Sequence, residues 1–242
     1  MSSDNSNVFT KDNLDIYLKE LAKEFRKTYG KHMPAEIILI GGAAILVNYG
    51  FRDMTTDVDA VIRASSSMKE IINRVGDKFN LPNGWLNSDF IYTSSYSDKL
   101  DEISVYYRTY SNVLTVRTVS AEYLIAMKLR AGRKYKNDLS DIIGILAEHK
   151  KQGKDITMSQ IDAAVEKLYG GWTDFPSESR IFIKDAIGKG NYIQLYNSVQ
   201  KEERQAKDIL IAFEKDYPNV AKESNVNEIL KTLKAKKHSP LN

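Results

Sequence analysis

The chain has no cysteine and only three histidines among its 242 residues. The first absence excludes disulfides, thiolate zinc sites and thiol catalysis, and accords with a reducing compartment. His32, His149 and His238 are scattered, so they support no metal or catalytic cluster. No apolar run approaches the length of a membrane span, and the opening MSSDNSNVFTKDN lacks the apolar core of a signal peptide. Charge of one sign is also in short supply. A formal net charge of +3 is too mild to imply nucleic acid by itself. An apolar fraction of 42% and a charged fraction of 28% describe an ordinary globular protein, expected to be soluble and cytoplasmic with no membrane partner. The length allows one large domain or two small ones.

What is present is concentrated between Ile37 and Ile62, which read IILIGGAAILVNYGFRDMTTDVDAVI. A buried strand (Ile37 to Ile40) runs into Gly41 and Gly42, then an apolar helix pattern, then a second strand with two carboxylates. Residues two apart on a strand share a face, so Asp57 and Asp59 project together. Two carboxylates so placed suit divalent ions that bridge the phosphates of a nucleotide. The glycines let backbone approach those phosphates, and the following helix offers its free N–H groups. Arg52, Thr55 and Thr56 precede the carboxylates in a loop within reach of the same triphosphate. Each half alone has a plainer explanation: a tight strand-to-helix turn for Gly-Gly, a solvated strand face for Asp-x-Asp.

Periodicity organises the rest. Residues 1 to about 10 are expected to be disordered. Helical spacing covers Lys11 to Tyr29, Ala43 to Tyr49 and Ser65 to Phe79, and strands are expected at Asp57–Ile62, Glu102–Tyr107 and Leu114–Val119. A short strand is expected around Phe90–Tyr92, and the Ser111-Asn112 tip suits a hairpin. From Ser120 onward the pattern is helical: to about Arg133, from Asn137 or Asp138 to about Lys150, then Ser159–Tyr169, Glu178–Ile187, Tyr192–Tyr217 and Val226–Lys236. The fold class is therefore α/β (α+β): a mixed sheet of four or five strands with flanking helices, plus an all-helical C-terminal region. The expected boundary places a core at 1–148 and a helical domain at 149–242.

Two features follow the strands. Lys128 sits among apolar neighbours on its helix, where its ammonium either reaches something negative or snorkels to water. Asp138 and Asp141 stand three apart at the start of the next helix, where capping and the helix dipole are the alternative to a ligand role. Basic residues between Arg130 and Lys136, Arg133 among them, would steer a polyanion.

In this order, Gly-Gly, Asp-Val-Asp, a helix with Lys128 and Arg133 at K-x-x-x-x-R spacing, then D-x-x-D, the chain resembles the AbiEii-type nucleotidyltransferases. These belong to the DNA polymerase beta superfamily and include toxins of type IV toxin–antitoxin systems. The resemblance covers roughly Ile37 to Leu146 and implies the nucleotidyltransferase fold. It implies that the glycine motif holds the NTP phosphates, with Arg52, Thr56 and Arg133 as further nucleotide contacts. It implies magnesium on Asp57 and Asp59, Lys128 on the triphosphate, and Asp138 or Asp141 acting on the acceptor hydroxyl. The activity implied is transfer of an NMP from an NTP to a hydroxyl, on a tRNA 3′ end or a protein, with a cognate antitoxin as partner. A non-catalytic nucleotide- or partner-binding module on the same fold is the alternative. The third metal carboxylate of many superfamily members has no clear match. Glu102 is the nearest candidate and Asp101 the alternative.

Overall fold

The computed structural model describes residues 8–222 and 225–238. The expectation of disorder for the first residues therefore falls partly outside the described residues, and where it can be compared it is corrected. Phe9 is buried, and its backbone pairs with Thr55 in both directions, at 2.8 and 2.9 Å. Thr10 then caps the first helix, α1 (Lys11–Tyr29), in a reciprocal capping box with Asn13. The helix buries Leu14, Leu18, Leu21, Ala22 and Phe25, a stripe at helical spacing.

The sheet has five strands: β1 (Ala35–Leu39), β2 (Val58–Arg63), β3 (Leu86–Asn87), β4 (Ser104–Tyr110) and β5 (Leu114–Val119). Their order is β3-β2-β1-β5-β4. β1 pairs antiparallel with β2 and parallel with β5, β2 pairs parallel with β3, and β4 pairs antiparallel with β5. The sheet is mixed, as expected. Ser111 and Asn112 take positive φ at the β4–β5 hairpin tip.

Register sorts the strand residues onto two faces. Val58 and Ala60 lie with Ile37, Leu39, Leu114 and Val116 on a fully buried face. The helices α1 and α3 (Met68–Phe79) pack on each other, and the Tyr110 hydroxyl ties α1 to β4 by donating to Asp15 at 2.6 Å. The opposite face carries Asp59, Val61 and Arg63 of β2, Glu36 and Ile38 of β1, and Thr115, Arg117 and Val119 of β5. That face mixes charged side chains with the buried Ile38 and Val119, where the residues named on the first are all apolar. It carries Asp59.

Two local expectations are corrected. Phe90–Tyr92 is not a strand but part of a 3-10 turn, Asp89–Tyr92, and the extra strand forms instead at Leu86–Asn87. Trp85 anchors that strand, its indole N–H donating to the Ile72 carbonyl at 2.9 Å in the core. Glu102 does not open a strand. It lies in a one-turn helix, α4 (Leu100–Ile103), and β4 begins two residues later.

Contacts divide the chain into two compact units, residues 1–127 with 160–171, and 128–159 with 172–242. The first holds the sheet and most of α7 (Met158–Tyr169). There the Ser97 hydroxyl donates to the Leu168 carbonyl at 2.9 Å and the Tyr169 hydroxyl to the Ser95 carbonyl at 2.7 Å. The second holds α6 (Asp138–Lys151), α8 (Ser179–Lys189), α9 (Tyr192–Asp216) and α10 (Val226–His238), with α6 lying along α9. The division falls within α5 (Ala121–Ala131), as α6 packs on α9 while α7 groups with the unit that holds the sheet.

Candidate functional site

The glycine pair opens α2 (Gly41–Asn48) directly after β1. Gly41 has φ +56, in the left-handed region, and a Cβ there would stand 3.7 Å from Asp59 Oδ2. Gly42 is required for a different reason. A Cβ on it would lie 2.5 Å from Thr55 Oγ1 and 3.0 Å from Arg52 Nη2. The Gly41 turn therefore meets Asp59, and the Gly42 backbone meets the loop that leads into β2. Ile40 supplies no side-chain cap, so the amides of Gly41, Gly42 and Ala43 have no acceptor within the helix. Such a helix start attracts anions.

The loop is itself braced. Arg52 Nε donates to the Met54 carbonyl at 3.0 Å and Nη2 to Thr55 Oγ1 at 3.5 Å. Thr55 Oγ1 in turn donates to Asp57 Oδ1 at 3.2 Å. Asp57 is exposed and stands one residue before β2, which opens at Val58 rather than at Asp57 as expected; Asp59 is half-buried, on the side of β2 opposite the buried Val58 and Ala60. Gly41, Gly42, Arg52, Asp57 and Asp59 thus form one group within the first unit. Thr56 is exposed, whereas its buried neighbour Thr55 makes the hydrogen bonds to Arg52 and Asp57.

Two hard carboxylate oxygens beside open amides and a guanidinium suit magnesium, which takes one or two carboxylates and completes its shell with phosphates and water. Glu102 does not join them. It is bonded to Lys167, which holds its carboxyl below the usual range, and Lys99 approaches at 3.9 Å. Among the described residues no three His, Cys, Asp or Glu gather as a metal-holding cluster.

The second unit contains the remaining expected residues. Lys128 Nζ lies 3.0 Å from Asp138 Oδ1 and 2.8 Å from Asp141 Oδ2. Arg133 completes the group, its Nε donating to Asp138 Oδ2 at 2.8 Å. Lys128, Asp138 and Asp141 are all buried. The Lys128 ammonium therefore reaches carboxylates and does not snorkel. Burial works to raise the Asp138 pKa, but Lys128 and Arg133 outweigh it and hold it at about 2.

One buried acid in this unit has no counterpart in the expected set. Glu203 of α9, 3% exposed, accepts the Leu139 N–H at 2.8 Å and the Ser140 N–H at 3.3 Å through Oε1. It caps the first turn of α6 from another helix, where Asn137 offers no side-chain cap. Burial pushes its carboxyl up to about 7 against those hydrogen bonds, and Asp141 adds to the rise. The signal was in the sequence: Val199, Glu203 and Ala206 fall on one buried stripe of α9.

No helix among the described residues is long and apolar enough to cross a membrane. No curated protein and no solved structure matches the chain. A family model does, over residues 17–149, more than half of the chain and the whole of β1 to α6 up to its last turn. It spans the glycine turn, the Asp57–Asp59 strand and the Lys128–Asp138–Asp141 group, so the chain belongs to the family described as nucleotidyltransferases of unknown function (DUF6036).

Proposed function

We propose that the protein transfers an NMP from an NTP to an acceptor hydroxyl. One observation carries the reading: the uncapped start of α2 meets Asp59 at Gly41 and the Arg52–Thr55–Asp57 chain at Gly42. The amides of Gly41 to Ala43 bind and orient the triphosphate, and Arg52 adds positive charge to that end. Asp57 and Asp59 hold magnesium, which, when bound, screens the charge that develops on the phosphates. The acceptor oxygen attacks the α-phosphorus in line, its proton leaves, and the bond to pyrophosphate breaks. Family resemblance supports a further part of the reading, in which Lys128 contacts the triphosphate and Asp138 or Asp141 positions the acceptor hydroxyl.

The finer reading is AbiEii-like. A tRNA 3′ end or a protein side chain accepts the nucleotide, and a cognate antitoxin controls the activity in the cytoplasm. Support for it is the motif order alone. The competing reading, a module that binds nucleotide without turnover, draws on the absence of a third carboxylate among the described residues.

Purified protein with magnesium, each α-³²P-labelled NTP in turn, and total tRNA or lysate separates the two. Label in RNA or protein that disappears in Asp59→Asn establishes transfer and identifies the acceptor class. Binding of an NTP with no label transferred to any acceptor establishes the module instead.

A further inference from the structure

The helical unit holds a cavity that nucleotidyl transfer at Asp57 and Asp59 does not use. Its volume is about 480 Å³, and its walls come from α6, α8, α9, α10 and the turn after α5. Every residue that lines it belongs to the second unit. Cavities of about 300–1,000 Å³ are the size that takes small organic ligands. Leu139, Pro176, Phe182 and Val199 supply apolar wall. Gly132 lets that wall close in: a Cβ on it would stand 2.6 Å from Pro176 Cγ, and its φ is +55.

One polar group in this lining is left over. Glu203 is 3% exposed, and both of the α6 amides it accepts go to Oε1. Its Oε2 is buried and makes no hydrogen bond. A buried carboxylate calls for a counter-charge. The groups that act on Glu203 are the α6 amides, the Ser140 side chain and the Asp141 carboxylate, and none of them is a cation. The nearby cations are engaged elsewhere. Lys128 and Arg133 bond Asp138 and Asp141, and Lys134 bonds Glu178. Glu202 and Lys234 also line the cavity and are exposed. Acids therefore outnumber bases in the lining by three to two. An anion would meet that excess, and the α6 amides that could have received it are already bonded to Glu203.

We propose that this cavity is a ligand site for a small organic monocation, a protonated amine or guanidinium on an apolar body. The cation pairs with Glu203, and the body packs against Leu139, Pro176, Phe182 and Val199. In the free protein burial pushes the Glu203 carboxyl up to about 7, with Asp141 adding to the rise. A cation beside it favours the ionised form, so binding expels the proton. Affinity then climbs as pH rises from 5 to 7.

The test is calorimetry on the full chain. The probes are 2-phenylethylamine, cyclohexylmethylamine and pentylguanidine, each beside a neutral counterpart: 2-phenylethanol, cyclohexylmethanol and pentylurea. At least one cation is expected to bind, one per chain, roughly tenfold or more tightly than its counterpart. Glu203→Gln, whose amide oxygen can still accept the α6 amides, should weaken that cation by a similar factor. Titrations of the unaltered chain in buffers of different ionisation enthalpy should show release of about one proton at pH 6 and almost none at pH 8. Failure of all three cations to bind would overturn the proposal. So would equal binding of the neutral counterparts, undiminished binding to Glu203→Gln, or no proton released at pH 6. Each of these results leaves the transfer reading standing, because that reading draws nothing from Glu203.

Discussion

A Cβ on Gly42 would lie 2.5 Å from Thr55 Oγ1, closer than side-chain carbons approach a neighbour. Gly42→Ala must therefore displace Thr55 and with it the hydroxyl that holds Asp57. We expect kcat/KM to fall about 100-fold, since a displacement of about 1 Å at a reacting centre has that effect. Far-ultraviolet circular dichroism should be unchanged. Steady-state kinetics on the labelled NTP checks the first and a spectrum the second.

Asp57 and Asp59 differ in setting, although they stand two residues apart. Asp59 lies against Gly41 and is half-buried, whereas Asp57 is exposed and held by Thr55. Asparagine at either position should lower kcat by roughly 10² to 10³, the usual loss for a group that stabilises developing charge. Thr55→Val should reproduce a milder form of the Asp57 defect. Measuring all three at saturating magnesium separates loss of the ligand from loss of its orientation.

Lys128→Met leaves Asp138 and Asp141 buried without the ammonium they share, while Arg133 still bonds Asp138. Removing one member of such a group costs about 3–5 kcal/mol. Urea denaturation should show that loss as a lower midpoint with an unchanged slope. The KM for NTP, measured on the folded fraction, reports separately whether the ammonium also serves the nucleotide.

Acid and neutral pH should act on the second unit in opposite directions. Asp138, held at about 2, contributes stability that is present above its ordinary pKa near 4 and is lost as pH falls toward 2. Glu203 is raised to about 7, so the folded chain keeps a proton that the unfolded chain releases above about 4.5. Its contribution is complete below pH 4.5 and declines as pH rises to 7. Glu203→Gln removes that decline, so the Tm of the variant should gain on the wild type between pH 5 and 7.5. A constant difference across that range would show that Glu203 does not titrate there.

Periodicity made the helices and the central strands legible. Leu14, Leu18 and Leu21, and the alternation of Val58 and Ala60 with Asp59, are patterns that burial imposes on sequence. Thr55 was readable by the same alternation, since it precedes Asp57 and Asp59 by two and four residues, yet Thr56 drew equal attention. Glu102 misled because Glu102, Ser104 and Tyr106 alternate properly. Nothing local announces that the chain turns through one helical turn first, a turn bonded at Lys99 and followed by a Ser104 hydroxyl on the Asp101 carbonyl. The Leu86–Asn87 strand was hidden for a related reason. Two residues carry no period, and their place is set by Trp85 in the core.

The Phe9–Thr55 bridge ties the N-terminal side of α1 directly to the loop that precedes Asp57. The Phe9 ring stacks on Trp85 and meets Tyr17 edge-on, so it is wedged among side chains distant in sequence. The family match begins at residue 17 and leaves this wedge out. A fragment cut to that boundary would lose the peg that holds the approach to Asp57 and β2 in place, and its inactivity would say nothing about the chemistry of the intact chain.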